Sequence, residues 1–319
     1  MESKQDNSTQ DNSLQASLQL AFPQRATLGE GLQWHAATGS WWWTDIEGAA
    51  IHAWNPGLAE ATSYKLPDRV GSLVHCRSGR ILAGMAKWIG MVTLPQDMAT
   101  RAPQVPHVQT VAAVDAAEWR TRINDGRTDR RGYYVFGTMN EAPEKRPIGS
   151  FYQYSVRHGL RRLALPAAAI ANSICFSLDG ATMYFTDTLT RRIMQCDYDA
   201  ETARVGTPRL FAQVTERHAW PDGSIIDAEG CLWNAQWGAG SVVRYAPDGT
   251  PLRVVRVPVK NPTCPAFGGA GYAQLMLTTA RQEMSAEELE RMPQAGSLFT
   301  LAEAGLRGVP DALFDDRDA

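Results

Sequence analysis

Five polar residues recur at nearly one offset ahead of a glycine, in a chain otherwise built of short apolar runs. Glu30 lies nine residues before Gly39, while Asn124, Asn172, Asp222 and Asn261 each lie eight before Gly132, Gly180, Gly230 and Gly269. Glu30 also stands between Gly29 and Gly31, so no flanking side chain keeps a ligand or metal from its carboxylate. Glu, Asp and Asn supply hard oxygen donors and neither imidazole nor thiolate. That set suits Ca2+, Mg2+ or Mn2+ better than a structural zinc. The plainer alternative is a series of Asx-turns capping strand starts. The histidines, His35, His52, His75, His107, His158 and His218, fall at scattered offsets and read as surface or strand residues. No Gly-x-Ser-x-Gly elbow is present, so a Ser-His-Asp triad lacks support.

The elements that must position these residues are strands. Turn pairs ending in Gly39, Gly79, Gly132, Gly180, Gly230 and Gly269 are separated by 40, 53, 48, 50 and 39 residues, and each precedes a short hydrophobic run. Those runs are Trp41–Asp45, Ile81–Gly84, Tyr133–Thr138, Thr182–Asp187, Cys231–Ala235 and Gln274–Thr279. A second strand usually follows, as at Ala50–Trp54, Gly149–Ser155, Arg192–Tyr198, Ser241–Tyr245 and Ser297–Leu301. Units of this size, each holding several strands, are the spacing of propeller blades. The expected fold is therefore all-β, a six-bladed β-propeller over residues 16–319, in preference to two stacked β-sandwiches. In a propeller, residues at one phase of successive blades converge on the central channel. Ala16–Phe22 is the candidate strand to complete the last blade. The one clear helical turn is Ser285–Arg291, with Ser285 as N-cap and Glu288 completing a capping box. Trp41 to Trp43 belong to one strand, and most of that aromatic mass is expected to be core packing.

Composition narrows the partners. A net charge of −3 over 319 residues argues against nucleic-acid binding. No apolar run approaches the ~20 residues of a membrane span. Met1–Gln15 is rich in Ser, Gln, Asn and Asp and lacks the apolar core of a secretory signal, so residues 1–15 are expected to be a disordered tail. Cys76, Cys175, Cys196, Cys231 and Cys264 are scattered and odd in number, which fits free thiols in a reducing compartment and a cytoplasmic address. No obligate protein partner is indicated.

Several segments taken in order carry a family likeness. They are Leu28-Gly29-Glu30-Gly31, Arg122-Ile123-Asn124-Asp125-Gly126, Gly137-Thr138-Met139, Asn172 ahead of Phe176–Gly180, Tyr184–Asp187, Pro221-Asp222-Gly223, Pro262–Gly269 and Thr278–Arg281. Together they resemble the gluconolactonase/senescence-marker-protein (regucalcin) family of sugar lactonases over about residues 26 to 281. The resemblance implies a six-bladed propeller with one divalent metal at the top of its channel (Ca2+, Mn2+, Mg2+, Zn2+ or Fe2+). It places Glu30, Asn172 and Asp222 as metal ligands and Arg122, Asn124 and Glu141 as substrate contacts. Asp222 also matches the residue assigned as general base.

The substrates so implied are aldonolactones such as glucono-, galactono-, arabinono- and xylonolactone, hydrolysed to the aldonic acid. Arg122 and Asn124 offer donors suited to sugar hydroxyls and a developing carboxylate. Leu32 stands where a proline is common in the family and His35 where an acid is frequent, and both are expected to border the pocket. Two other readings remain open. One is a non-catalytic calcium-binding or regulatory propeller. The other is a propeller esterase acting on other lactones or organophosphates, whose pocket needs apolar lining.

Overall fold

A computed structural model of the protein describes residues 18–95, 105–303 and 305–317. The expected tail over residues 1–15 lies outside them. Six small antiparallel sheets stand in a ring, a six-bladed propeller. The first five blades are built in chain order from inside to outside, beginning with Gly29–His35, Val70–His75, Thr121–Thr128, Ala171–Phe176 and Trp220–Ile226. The sixth consists of Pro262–Gly268, Gln274–Thr279 and Leu298–Ala302, and its outermost strand is Gln19–Phe22 from the start of the chain. The ring is thus closed by the described part of the strand expected at Ala16–Phe22.

The recurring glycines have one physical cause. Gly39, Gly79, Gly132, Gly180, Gly230 and Gly269 all sit at left-handed φ, between 60° and 88°, which favours a residue without Cβ. Strands Thr182–Asp187, Gln274–Thr279, Ala50–Trp54 and Ser241–Tyr245 match their expected bounds, and the others differ by a few residues at their ends. Ala286–Arg291 is the α-helix among the described residues, and its Ser285/Glu288 capping box is formed.

Each blade is covered by its neighbours on both faces, which is why its inner strands, such as Val70–His75 and Ala171–Phe176, lack an exposed side. In Ser40–Asp45, Trp41, Trp42 and Trp43 are all buried. Trp41 and Trp43 pack with Leu32, Phe22 and Met276 toward the sixth blade, while Trp42 packs with Tyr64, Leu73 and Ile81 toward the second. A buried tryptophan removes roughly 150–250 Å2 from water, about 4–6 kcal/mol at ~25 cal/mol/Å2. This one strand therefore glues three blades. No helix among the described residues is long and apolar enough to cross a membrane.

Candidate active site

The pairing register shifts in every innermost strand, between Glu30 and Gln33, Val70 and Ser72, Ile123 and Gly126, Asn172 and Cys175, Pro221 and Ser224, and Pro262 and Pro265. A bulge breaks the in–out alternation and re-aims a side chain. Four of these bulges carry Glu30, Asn124, Asn172 and Asp222, and all four line one cavity of about 360 Å3 together with Arg122. Gly31 takes φ 57° in its bulge, where an added Cβ would lie 3.2 Å from Ser72 Cα. Ser173 takes φ 58° in the corresponding place of the fourth blade. Its hydroxyl donates to Asp222 O at 2.5 Å and accepts from Asn234 Nδ2 at 3.1 Å, which ties the fourth bulge to the fifth.

Asn261 departs from the set. It is fully buried, its Nδ2 donates to Gln282 O at 2.9 Å, and it does not line the cavity. The bond reaches a residue 21 positions away, so it is no local Asx-turn but a clamp on the loop that follows Gln274–Thr279. Glu141 also stands outside the cavity lining. Arg69 donates to its two oxygens at 2.6 and 2.8 Å, and Arg122 Nε lies 3.3 Å from it. Burial alone would raise the Glu141 pKa, but the Arg69 hydrogen bonds and the Arg122 charge hold it below the usual range.

Glu30 and Asp222 are 7% and 6% exposed. The Glu30 pKa is raised well above the usual carboxylate range by burial, then by the charges of Asp222 and Asp125. Burial and Asp125 do the same for Asp222. Their nearest help is backbone: Gly31 N donates to Glu30 at 3.2 Å, and Gly223 N donates to Asp222. Arg122 opposes both shifts by its charge but bonds elsewhere, donating to Asn124 Oδ1 at 2.7 Å and Ile123 O at 3.0 Å.

Two buried carboxylates without a bonded cation, beside an amide oxygen, fit a divalent metal. Among the described residues no group of three or more His, Cys, Asp or Glu side chains is arranged to hold one. A cation here would therefore rely on the Asn172 oxygen as well. Orientation favours that oxygen. Thr188 Oγ1 donates to Pro221 O at 2.9 Å and accepts from Asn172 Nδ2 at 3.0 Å, so Asn172 Oδ1 faces the other way, where it accepts from Asn124 Nδ2 at 3.1 Å and keeps a second lone pair.

The rest of the wall mixes the apolar side chains of Leu28, Met139, Ile170, Leu189, Trp220 and Trp237 with the polar ones of Lys145, Thr188, Gln282 and Glu283. Leu32 is core, packed with Trp41, and His35 stacks on His75 with ring centroids 4.4 Å apart. Neither borders the cavity: Leu32 lies within the bulge but turns into the core, and His35 ends the strand beyond it. Burial lowers the His75 pKa to about 3 and the His52 pKa to about 4, as packing against aromatic rings dictates.

Sequence reasoning passed over Asp125, Thr188, Lys145 and the two tryptophans. Asp125 lies inside an Asp-Gly pair that reads as a turn, and its Oδ2 instead accepts from Ile174 N at 2.9 Å across the blade boundary. A larger hollow of about 460 Å3 lies beside Arg244 and Arg253. Arg253 pairs there with Glu303 and Arg244 with Asp227 and Glu229, while Arg307 also lines it.

Residues 28–281 match the family described as SMP-30/Gluconolactonase/LRE-like region. The chain is 40% identical over 292 residues to L-arabinolactonase of Azospirillum brasilense, covering 91% of this chain and 93% of that protein. It is 30% identical to regucalcin of Oryctolagus cuniculus, covering 92% and 96%. Among solved structures, a calcium-binding protein, regucalcin, from Agrobacterium tumefaciens aligns with a TM-score of 0.82 at 30% identity, covering 94% of this chain and 97% of that one. The bulged inner strands and their oxygen-rich cavity are thus found in a chain that belongs to the SMP-30/gluconolactonase/LRE-like family.

Proposed function

We propose that the protein is a metal-dependent lactonase that opens a sugar lactone, such as glucono-, galactono-, arabinono- or xylonolactone, to its aldonic acid. The observation that carries this reading is the pair of buried carboxylates, Glu30 and Asp222, beside Asn172 in a cavity of about 360 Å3. That volume lies in the small-molecule range of roughly 300–1,000 Å3. The likeness to L-arabinolactonase supports the same substrate class. Glu30, Asn172 and Asp222 would hold the metal, which supplies Lewis acidity at an ester carbonyl.

The chain's own residues do the rest. Asp222 takes a proton from the attacking water and returns it to the ring oxygen as the acyl C–O bond breaks. A bound cation would keep Asp222 ionised, and its carboxylate is then free to accept that proton. Arg122 and Asn124 meet the substrate's polar groups, and Glu141 holds Arg122 from behind at 3.3 Å. Trp220 and Trp237 offer flat apolar faces to the C–H side of a sugar ring. The buried free thiols support a reducing, cytoplasmic setting.

The second reading is a calcium-binding protein without turnover, favoured by the likeness to the Agrobacterium protein so described. One experiment separates them. A panel of aldonolactones and non-sugar lactones is followed by acid release, with Ca2+ or Mn2+ and with chelator. Chelator-sensitive opening of aldonolactones supports the proposal. Cation binding with no turnover on any lactone leaves the second reading, and preference for non-sugar lactones points to the apolar part of the wall.

A further inference from the structure

The C-terminal segment 307–316 runs across the ring at the end of the inner strands opposite the cavity. Ala228 N donates to Arg307 O at 2.9 Å, and Gly308 N donates to Tyr272 O at 2.8 Å. Thr128 Oγ1 donates to Ala312 O at 2.6 Å, and Phe314 N donates to His75 O at 2.9 Å. The segment thus ties the fifth and sixth blades to the third and second.

On the way it lays Asp311 against Arg127, with Nη1 to Oδ2 at 2.7 Å. The Arg127 side chain is 7% exposed and belongs to the same inner strand as Arg122, Asn124 and Asp125. Its charge acts on Asp125, and the charge of Asp125 acts in turn on Glu30 and Asp222. From the cavity to the opposite face run the carboxylates of Glu30 and Asp222, then that of Asp125, then the Arg127 guanidinium, then the Asp311 carboxylate. Glu30, Asp125 and Asp222 create the negative potential a divalent cation needs, and Arg127, if Asp311 did not pair with it, would offset part of that potential.

We propose that Asp311 sets the affinity of the cavity for a divalent cation by neutralising Arg127, which makes the C-terminal segment an electrostatic part of a site it does not touch. The inference rests on the reading that Glu30, Asn172 and Asp222 hold the cation. At an effective dielectric of about 20, an unscreened unit charge shifts the binding of a divalent ion by at least about tenfold at any separation up to roughly 20 Å.

The test is calorimetric titration of the chelator-stripped full chain with Ca2+, and separately with Mn2+. Asp311→Asn is expected to weaken Kd about tenfold. Arg127→Met/Asp311→Asn, which removes both charges, is expected to return within about threefold of wild type. Arg127→Met alone leaves Asp311 uncompensated and is expected to tighten binding severalfold. It keeps the test decisive if Asp311→Asn, with a lone buried guanidinium, fails to fold. An unchanged Kd in Asp311→Asn, a double variant as weak as Asp311→Asn, or weaker binding in Arg127→Met overturns the inference. Wild-type protein that binds neither ion overturns the metal-site reading along with it, whereas wild-type binding with unresponsive variants overturns this inference alone.

Discussion

Asn124 donates from Nδ2 to Asn172 Oδ1 at 3.1 Å, a side-chain bond that joins the third and fourth blades inside the cavity. The bond is one link in a chain with fixed direction. It begins at Arg122 Nη1, which donates to Asn124 Oδ1, and ends at Pro221 O, which accepts from Thr188. A guanidinium only donates and a carbonyl only accepts. Neither amide in between is free to flip, so the Asn172 oxygen is fixed on its Asn124 side, in the cavity that Glu30 and Asp222 also line.

Arg122→Met removes the donor that starts this chain. Asn124 then loses its preferred orientation, and Asn172 with it. Charged hydrogen bonds contribute about 1.5–3 kcal/mol, so lactone opening should fall about tenfold or more. Ca2+ affinity should change less, because the variant also removes a positive charge from beside both carboxylates. Thr188→Val, at the other end, disturbs the chain without changing charge and should weaken Ca2+ outright. Calorimetry on both variants, beside lactone turnover, checks this, and equal or tighter binding in Thr188→Val would count against the directional chain.

Asp222→Asn separates ligation from proton transfer. It keeps an oxygen donor but removes the charge and basicity, so activity should stay about 10²–10⁴-fold low even at saturating Mn2+. Asn172→Asp keeps oxygen ligation and touches no proposed proton path, and should retain more activity under the same conditions. The check is aldonolactone hydrolysis at neutral pH, titrated with metal until the rate is constant. Full recovery of Asp222→Asn would make Asp222 a ligand only.

The raised proton affinities of Glu30 and Asp222 predict a pH dependence of stability. A carboxyl whose pKa rises on folding stabilises the fold fully below its unfolded pKa and loses that contribution as pH rises through the folded value. Metal-free protein should therefore melt lower at about pH 8 than at about pH 5, as far as these two groups decide it. The melting increment from saturating Ca2+ should widen over the same rise, because a cation favours both ionised carboxylates. Scanning calorimetry at the two pH values tests this, and an increment that shrinks with pH would argue against the pair as the site.

Gly31→Ala tests the bulge. The residue holds φ 57°, and a Cβ would approach Ser72 Cα to 3.2 Å. The expected cost is about 1–3 kcal/mol, read as a lower denaturation midpoint. Ca2+ affinity should fall with it, because Glu30 is aimed by the same bulge.

The blade count was readable because each blade needs a left-handed residue at the same turn, and glycine marks that need in the sequence. Glu30, Asn124, Asn172 and Asp222 were readable for a related reason, since polar residues recur where a covered strand would otherwise be apolar. Asn261 shows the limit of that signal: its offset is the same, yet its side chain clamps a loop. Asp125, Lys145 and Trp220 have no offset to announce them. Their places depend on how blades meet, as with Asp125 reaching Ile174 in the next blade, and no spacing within one blade encodes such a contact.

Gln19 pairs with Thr300 and Leu20 with Phe299, so the earliest described strand hydrogen-bonds only to one of the last. A ribosome makes the chain from its N-terminus. Gln19–Phe22 must therefore wait until Leu298–Ala302 has been made. During that wait an apolar strand and an unpaired sheet edge are both open to other chains. Translation that stops before residue 298 leaves the first described strand with no partner, which makes such termination a route to aggregation rather than to a shorter working propeller.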